Sequence, residues 1–267
     1  MNEISAAPPH PIEPEHVEHA PGVTWGPLTA VVASVLIYFI SQYGAALVIL
    51  IYPITQQWNT AQATNWLNSS VLAQFVNVLL IEALVILLLR WFLNYKKSSF
   101  KAIGWARKLQ WTDVGYAFAA FGAYLVLLNY VVFNIAQKIV PHINYNQKQD
   151  IGFNNSHGSV LVLVFISLAI LPPLVEETLV RGFLYTGLKA KLPKFTAAII
   201  TSLLFAAAHL ELGSGQPALW SAAIDTFTLS LFLVYLREKT GSLYASVGLH
   251  FLKNSLAFAA LYLFHIN

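Results

Sequence analysis

From Pro27 to Ile51 the chain runs without a single Asp, Glu, Lys or Arg, and comparable apolar stretches recur almost to its C-terminal end. A helix crosses the ~30 Å hydrocarbon layer of a bilayer with about 20 such residues. Inside that layer each backbone N–H and C=O must find a partner, so only helices and closed barrels can span it. These runs are much longer than the ~10 alternating residues of a barrel strand, which leaves helices. Charged residues make up 10% of the chain and apolar residues 57%. A soluble domain, whose surface must face water, carries about 25% charged residues. Soluble globular, disordered and coiled-coil classes are excluded together. The expected fold is all-α: a polytopic transmembrane helix bundle.

Counting apolar runs predicts about seven spans, over residues 28–52, 71–93, 114–140, 159–188, 195–210, 218–236 and 243–264. The fifth is short for a span. Residues 1–26, rich in Pro, Glu and His, cannot bury enough surface to offset chain entropy, and are expected to form a disordered tail ahead of a single transmembrane domain over 27–267. His10, His16 and His19 belong to that tail. Between the second and third spans, residues 96–113 mix basic side chains with Phe100, Trp105 and Trp111, a composition suited to an interfacial segment.

Loop charge sets the expected orientation. Lys96, Lys97, Lys101, Arg107 and Lys108 lie in one loop, Lys189, Lys191 and Lys194 in a second, and Arg237 and Lys239 in a third. Alternating spans put all three on one side, while the opposite loops, 53–70, 141–158 and 211–217, hold only Lys148. The positive-inside rule assigns the N-terminus and the basic loops to the cytoplasm, in a bacterial-type cell membrane. Read this way, the net charge of +3 reflects membrane topology, and no nucleic-acid partner is expected. The absence of cysteine excludes thiol nucleophiles, thiolate metal sites and disulfides.

Charge at mid-membrane costs at least ~2.5–3.5 kcal/mol per group, so such residues usually line an interior site and have partners. Glu82, Glu176, Glu177, Arg181, Asp225 and Lys253 fall within spans, joined by His209, His250 and Asn254. Glu176 precedes the turn at Leu192–Pro193, and His209 follows it, by equal lengths of ~24 Å of helix. Asp225, His250 and Asn254 lie ~14–23 Å from the turn at Thr240–Gly241. Groups remote in sequence thus share one layer. Residues four apart share a helix face, which fits Glu177 with Arg181 as an internal ion pair and puts His250 and Asn254 on one face. Glu176 points ~100° away from Glu177, toward something else. Pro172–Pro173 should kink or break the fourth span and open a wet notch beside Glu176. Asp225 and Lys253 read as a neutralising pair. Glu82 either pairs with Arg181 or lies near the site.

Such groups suit peptide hydrolysis. A carboxylate and an imidazole can hold and deprotonate water, and a second imidazole with an amide can donate to an oxyanion. The pattern equally admits zinc on Glu176, His209 and His250, with an open position for water. Neither chemistry is chosen by the residues alone. An ion-coupled transporter is the less favoured class because no internal repeat is visible. A non-catalytic scaffold would have no need of these groups at one level.

Glu176-Glu177-x-x-x-Arg181, Phe205-x-x-x-His209 and His250-x-x-x-Asn254, in this order and each on its own span, resemble the three motifs of the CPBP family, which comprises type II CaaX prenyl endopeptidases and bacterial Abi proteins. The surrounding LVEETLVRGFLY, LLFAAAHL and SLYASVGLHFLKNS are similar as well, and the likeness covers about 159–264. The resemblance implies an intramembrane endopeptidase in which Glu176 and His209 activate water, His250 and Asn254 stabilise the oxyanion, and Glu177 and Arg181 support the site. It favours a cofactor-free mechanism, since an Asn among the key groups suits an oxyanion site, over one with zinc. The implied partner is a peptide or protein substrate, prenylated or membrane-embedded, met within the lipid bilayer. Lys253 departs from the small or apolar residues commoner in the third motif. Some family members are linked to bacteriocin immunity, so an immunity factor is the alternative reading.

Overall fold

The computed structural model describes residues 22–145, 147, 152–154, 156–210 and 218–265. Among these the regular elements are all helical. In chain order they are α1 (Pro27–Thr55), α2 (Thr60–Ser69), α3 (Val71–Tyr95), α4 (Trp111–Ile139), α5 (Gly158–Lys189), α6 (Lys194–Ala207), α7 (Trp220–Thr240) and α8 (Tyr244–Phe258, prolonged by Ala259–Leu263). Four of them, α1, α3, α4 and α5, are long and apolar enough to cross a membrane, and α6 is a shorter apolar helix. Of the seven expected spans these four stand on length and composition. Helices α7 and α8 carry Asp225, Arg237, Glu238, Lys239, His250, Lys253 and Asn254, and pack beside the others.

Only 11–28% of the most apolar window in each of the four spans is buried. Large side chains such as Leu36, Leu47, Leu87, Val126 and Tyr130 point outward. Apolar surface on this scale is intolerable in water and natural against lipid tails. Aromatic clusters mark both ends of the bundle, as at a membrane interface: Tyr52, Trp58 and Trp66 at one, Trp91 with Tyr95 and Trp105 with Tyr244 at the other.

Helix α2 lies where only a loop was expected. Asn59 starts it: its side chain accepts from the Gln62 N–H, and the Gln62 side chain accepts from the Asn59 N–H, each at 2.9 Å. This reciprocal cap is legible as Asn-x-x-Gln, but the helix is too polar for a search tuned to apolar runs.

The three basic loops do converge on one end. Lys189 and Lys194 both reach Glu238, at 2.5 and 3.5 Å. Arg107 bonds Asp113 and reaches the Thr240 carbonyl at 3.4 Å. The 96–113 segment, expected at the interface, buries Ile103 and Gly104 in the bundle. Gly104 adopts φ +117°, and a Cβ there would lie 2.9 Å from Leu243. Only glycine suits both conditions. Residues 1–21, with His10, His16 and His19, lie outside the described residues, as does Lys148. At the edge of the expected tail, Thr24 bonds the Lys96 carbonyl at 2.7 Å. Trp25 is buried, stacks on Phe183 at 5.0 Å and donates to the Phe183 carbonyl at 3.3 Å.

Helix α5 runs through Pro172–Pro173 without ending. Pro172 has no N–H for the Leu168 carbonyl, and the turn over Ile166–Ile170 widens to π geometry. Asn254 of α8 satisfies the freed carbonyl, donating from Nδ2 at 2.9 Å.

Close approach of α1 to α5 depends on Gly187, where a Cβ would lie 2.5 Å from the Trp25 ring and 2.6 Å from Ala30. Overpacking typically costs ~1–3 kcal/mol. Gly187→Val should therefore lower the thermal unfolding midpoint in detergent. Adding Trp25→Ala should recover part of the loss, and an unchanged midpoint in the single variant would contradict this packing.

Candidate active site

Glu177 and Arg181 are fully buried and joined at 2.9 Å, one helical turn apart on α5. A carboxylate inside a membrane protein needs such a partner, since desolvating an unpaired charge costs several kcal/mol. The pair is more elaborate than its spacing suggested. Arg181 also donates to Ser230 Oγ on α7 at 2.6 Å, and its guanidinium carbon lies 4.2 Å from the centre of the Phe205 ring on α6. Glu177 Oε1 accepts from His250 Nδ1 on α8 at 3.0 Å. One ion pair therefore ties α5 to α6, α7 and α8. Around it, Thr178–Leu184 is wound in wide π turns, a local geometry common at functional sites.

Two residues at motif positions orient the imidazoles, Phe205 through its backbone carbonyl and Glu177 through its carboxylate. The Phe205 carbonyl bonds His209 Nδ1 at 2.8 Å, and its ring meets those of His209 and His250 edge-on at 4.8 and 6.0 Å. A carbonyl only accepts, so Nδ1 of His209 carries the proton and Nε2 of the neutral ring keeps its lone pair. Glu177 imposes the same choice on His250, whose Nε2 then stands 3.9 Å from Glu176 Oε2. That gap exceeds a direct hydrogen bond. Phe205 explains the aromatic in the second motif: it holds Arg181, His209 and His250 in register.

Glu176 faces away from Glu177, as the helical phase requires, and its side chain is one-third exposed. It opens on a cavity of about 960 Å³ whose wall also includes His209, His250, Lys253 and Asn254. Pro172 and Leu168 line the same hollow, so the expected notch is present beside the prolines. All four expected catalytic residues thus share one chamber. Asn254 spends one N–H on the Leu168 carbonyl and keeps the other.

Lys253 pairs with Asp225 at 3.6 Å, as expected, and Tyr124 of α4 adds a short hydrogen bond to the same carboxylate. The role of Tyr124 left no trace in the sequence, because a tyrosine in a span is ordinarily packing. Glu82 on α3 lies within electrostatic range of Glu176. It does not bond Arg181, whose hydrogen bonds go to Glu177 and Ser230.

Among the described residues no three His, Asp or Glu side chains cluster closely enough to hold a metal ion. The expected zinc set Glu176, His209 and His250 is therefore not gathered into such a cluster.

Residues 158–256 match the family model described as Rce1-like, type II CAAX prenyl endopeptidase. All three motifs fall inside that stretch, and the family is the one they resemble. The match supports a CAAX-protease-like enzyme in a membrane. No curated protein and no solved structure matches the chain.

Removing Arg181 would strand a buried carboxylate, which typically costs ~3–5 kcal/mol. Arg181→Leu should lower the unfolding midpoint in detergent far more than Lys253→Met, whose pair with Asp225 is partly exposed. Equal midpoints would show that the Glu177–Arg181 pair does not organise the bundle.

Proposed function

We propose that this protein is an intramembrane endopeptidase of the CAAX-protease type that hydrolyses a peptide bond without a metal. The observation that carries the reading is the joint presence of Glu176, His209, His250 and Asn254 on the wall of one cavity within the family-matched stretch.

In this reading Glu176 and the Nε2 lone pair of His209 hold a water molecule. As the water oxygen attacks the scissile carbonyl carbon, Glu176 takes a proton from it. The carbonyl oxygen becomes an oxyanion, which accepts from the second N–H of Asn254 and from His250 Nε2–H. His250 donates there only when doubly protonated, while its Nδ1–H goes on donating to Glu177. Collapse of the intermediate breaks the C–N bond, and the proton held by Glu176 passes to the leaving nitrogen. Water and peptide become one carboxylic acid and one amine, with no other reactant. Glu177, Arg181 and Phe205 keep the rings in place and act through them.

The 3.9 Å separation of Glu176 and His250 favours a second version of the same chemistry, in which His250 shares the water with Glu176. His209 would then serve the leaving group. Both versions need Glu176 and predict a protease.

General-base groups of this kind contribute about 10²–10⁴-fold. Glu176→Gln and His209→Ala, purified in nanodiscs, should each lose at least ~10²-fold in cleavage of a membrane-anchored reporter peptide, at unchanged unfolding midpoints. A Glu176→Gln enzyme as fast as the parent overturns the proposal. Phenanthroline should leave the parent rate unchanged, and loss restored by added zinc would replace the metal-free mechanism with a metal-dependent one.

A further inference from the structure

We infer that the catalytic cavity opens on the side of the membrane away from the cytoplasm, and that its substrate is a polypeptide segment presented from that side. What the cavity takes rests on the endopeptidase reading, whereas the direction of its mouth does not.

The cavity has a distinct floor and mouth. Toward the basic end, Glu177 and Arg181 are fully buried, and Phe183, Leu184, Tyr185 and Leu188 below them are almost so. Trp25 and Ile103 seal the space beside them. No route therefore leads from the basic end to Glu176 among the described residues. In the other direction the wall runs past Leu168 and Pro172 to Asn154 and Ser156, just ahead of α5, and to Leu261 and Tyr262 at the far end of α8. Asn154 is exposed to the outside. The first turn of α5 and the last turn of α8 lie at the end opposite the turns at 190–193 and 241–243. A second hollow at this end, lined by Asn65, Asn68, Ser69 and Asn154, continues the polar rim.

The two ends differ in charge. The basic end gathers Lys96, Lys97, Lys101, Arg107, Lys108, Lys189, Lys191, Lys194, Arg237 and Lys239. The rim of the mouth offers amides, hydroxyls and the imidazoles of His157 and His265, groups that pair with peptide N–H and C=O. Because Lys and Arg near short loops stay in the cytoplasm, the basic end is the cytoplasmic one and the mouth faces outward. A cytosolic protein with a prenylated C-terminus would meet the sealed end. The segment that reaches Glu176 is one already carried across, or inserted into, the membrane, so a translocation or insertion step must supply it.

The chain contains no cysteine, so a single introduced thiol reports its own side without background. Asn154→Cys and Ser159→Cys at the mouth, and Lys191→Cys at the basic end, would be treated with a membrane-impermeant maleimide in right-side-out and in inverted bacterial vesicles. The two mouth thiols should label at least tenfold faster in right-side-out vesicles, and Lys191→Cys in inverted ones. The reverse pattern overturns the inference. So does failure of both mouth thiols to label in either vesicle when they label in detergent. Cleavage is read separately, by adding a soluble reporter peptide to proteoliposomes sorted by the accessibility of Lys191→Cys. Cleavage confined to liposomes with the mouth outward supports the proposal, and cleavage confined to the other population overturns it. No cleavage in either population, with the labelling as expected, removes the endopeptidase reading and leaves the outward mouth standing.

Discussion

One carboxylate in hydrocarbon organises the functional half of the molecule. Glu177 lies where water cannot reach it, and the cost of that position is offset only by partners drawn from the surrounding helices. Arg181 answers its charge, and the arginine in turn needs Ser230 and the face of Phe205. His250 completes the set, so that its ring orientation is settled by a structural ion pair. Stability and chemistry are therefore not separable here. The network that fixes the helix packing also decides which nitrogen of the imidazole looks into the chamber.

Around this network the two glutamates of the first motif divide their labour by helical phase. They are neighbours in sequence and point ~100° apart. One faces inward and holds the bundle, while the other faces a cavity and is left available. Pro172 contributes from the same helix in an indirect way. It deprives the Leu168 carbonyl of its usual donor, and Asn254 fills that place, which brings an amide to the cavity wall. A backbone defect on one helix thus positions a side chain on another.

Much of this was legible in the sequence because it rests on periodicities and costs that residue order expresses. Length and apolarity identified four helices able to cross a membrane out of the seven spans expected, and the four-residue spacing identified Glu177–Arg181. Depth counted along the helices put Glu176, His209, His250 and Asn254 in one layer, and they share one cavity. Helix α2 escaped because its signal is a polar cap and not an apolar run. The bonds from His250 to Glu177 and from Tyr124 to Asp225 escaped for another reason: they join residues 73 and 101 positions apart, and nothing local encodes which helices will face one another. The burial of Trp25 was hidden by its neighbourhood, a Pro- and Glu-rich stretch in which one aromatic carries little weight.

That tryptophan bears on the order in which the bundle is completed. Its stacking partner and hydrogen-bond acceptor is Phe183, 158 positions later in the chain. During synthesis Trp25 leaves the ribosome before the first span has even formed, and has nowhere to dock until the fourth has been delivered to the membrane. The earliest part of the described chain is thus among the last to settle, so its seating marks the completed union of the first helix with the one that carries Glu176 and Glu177.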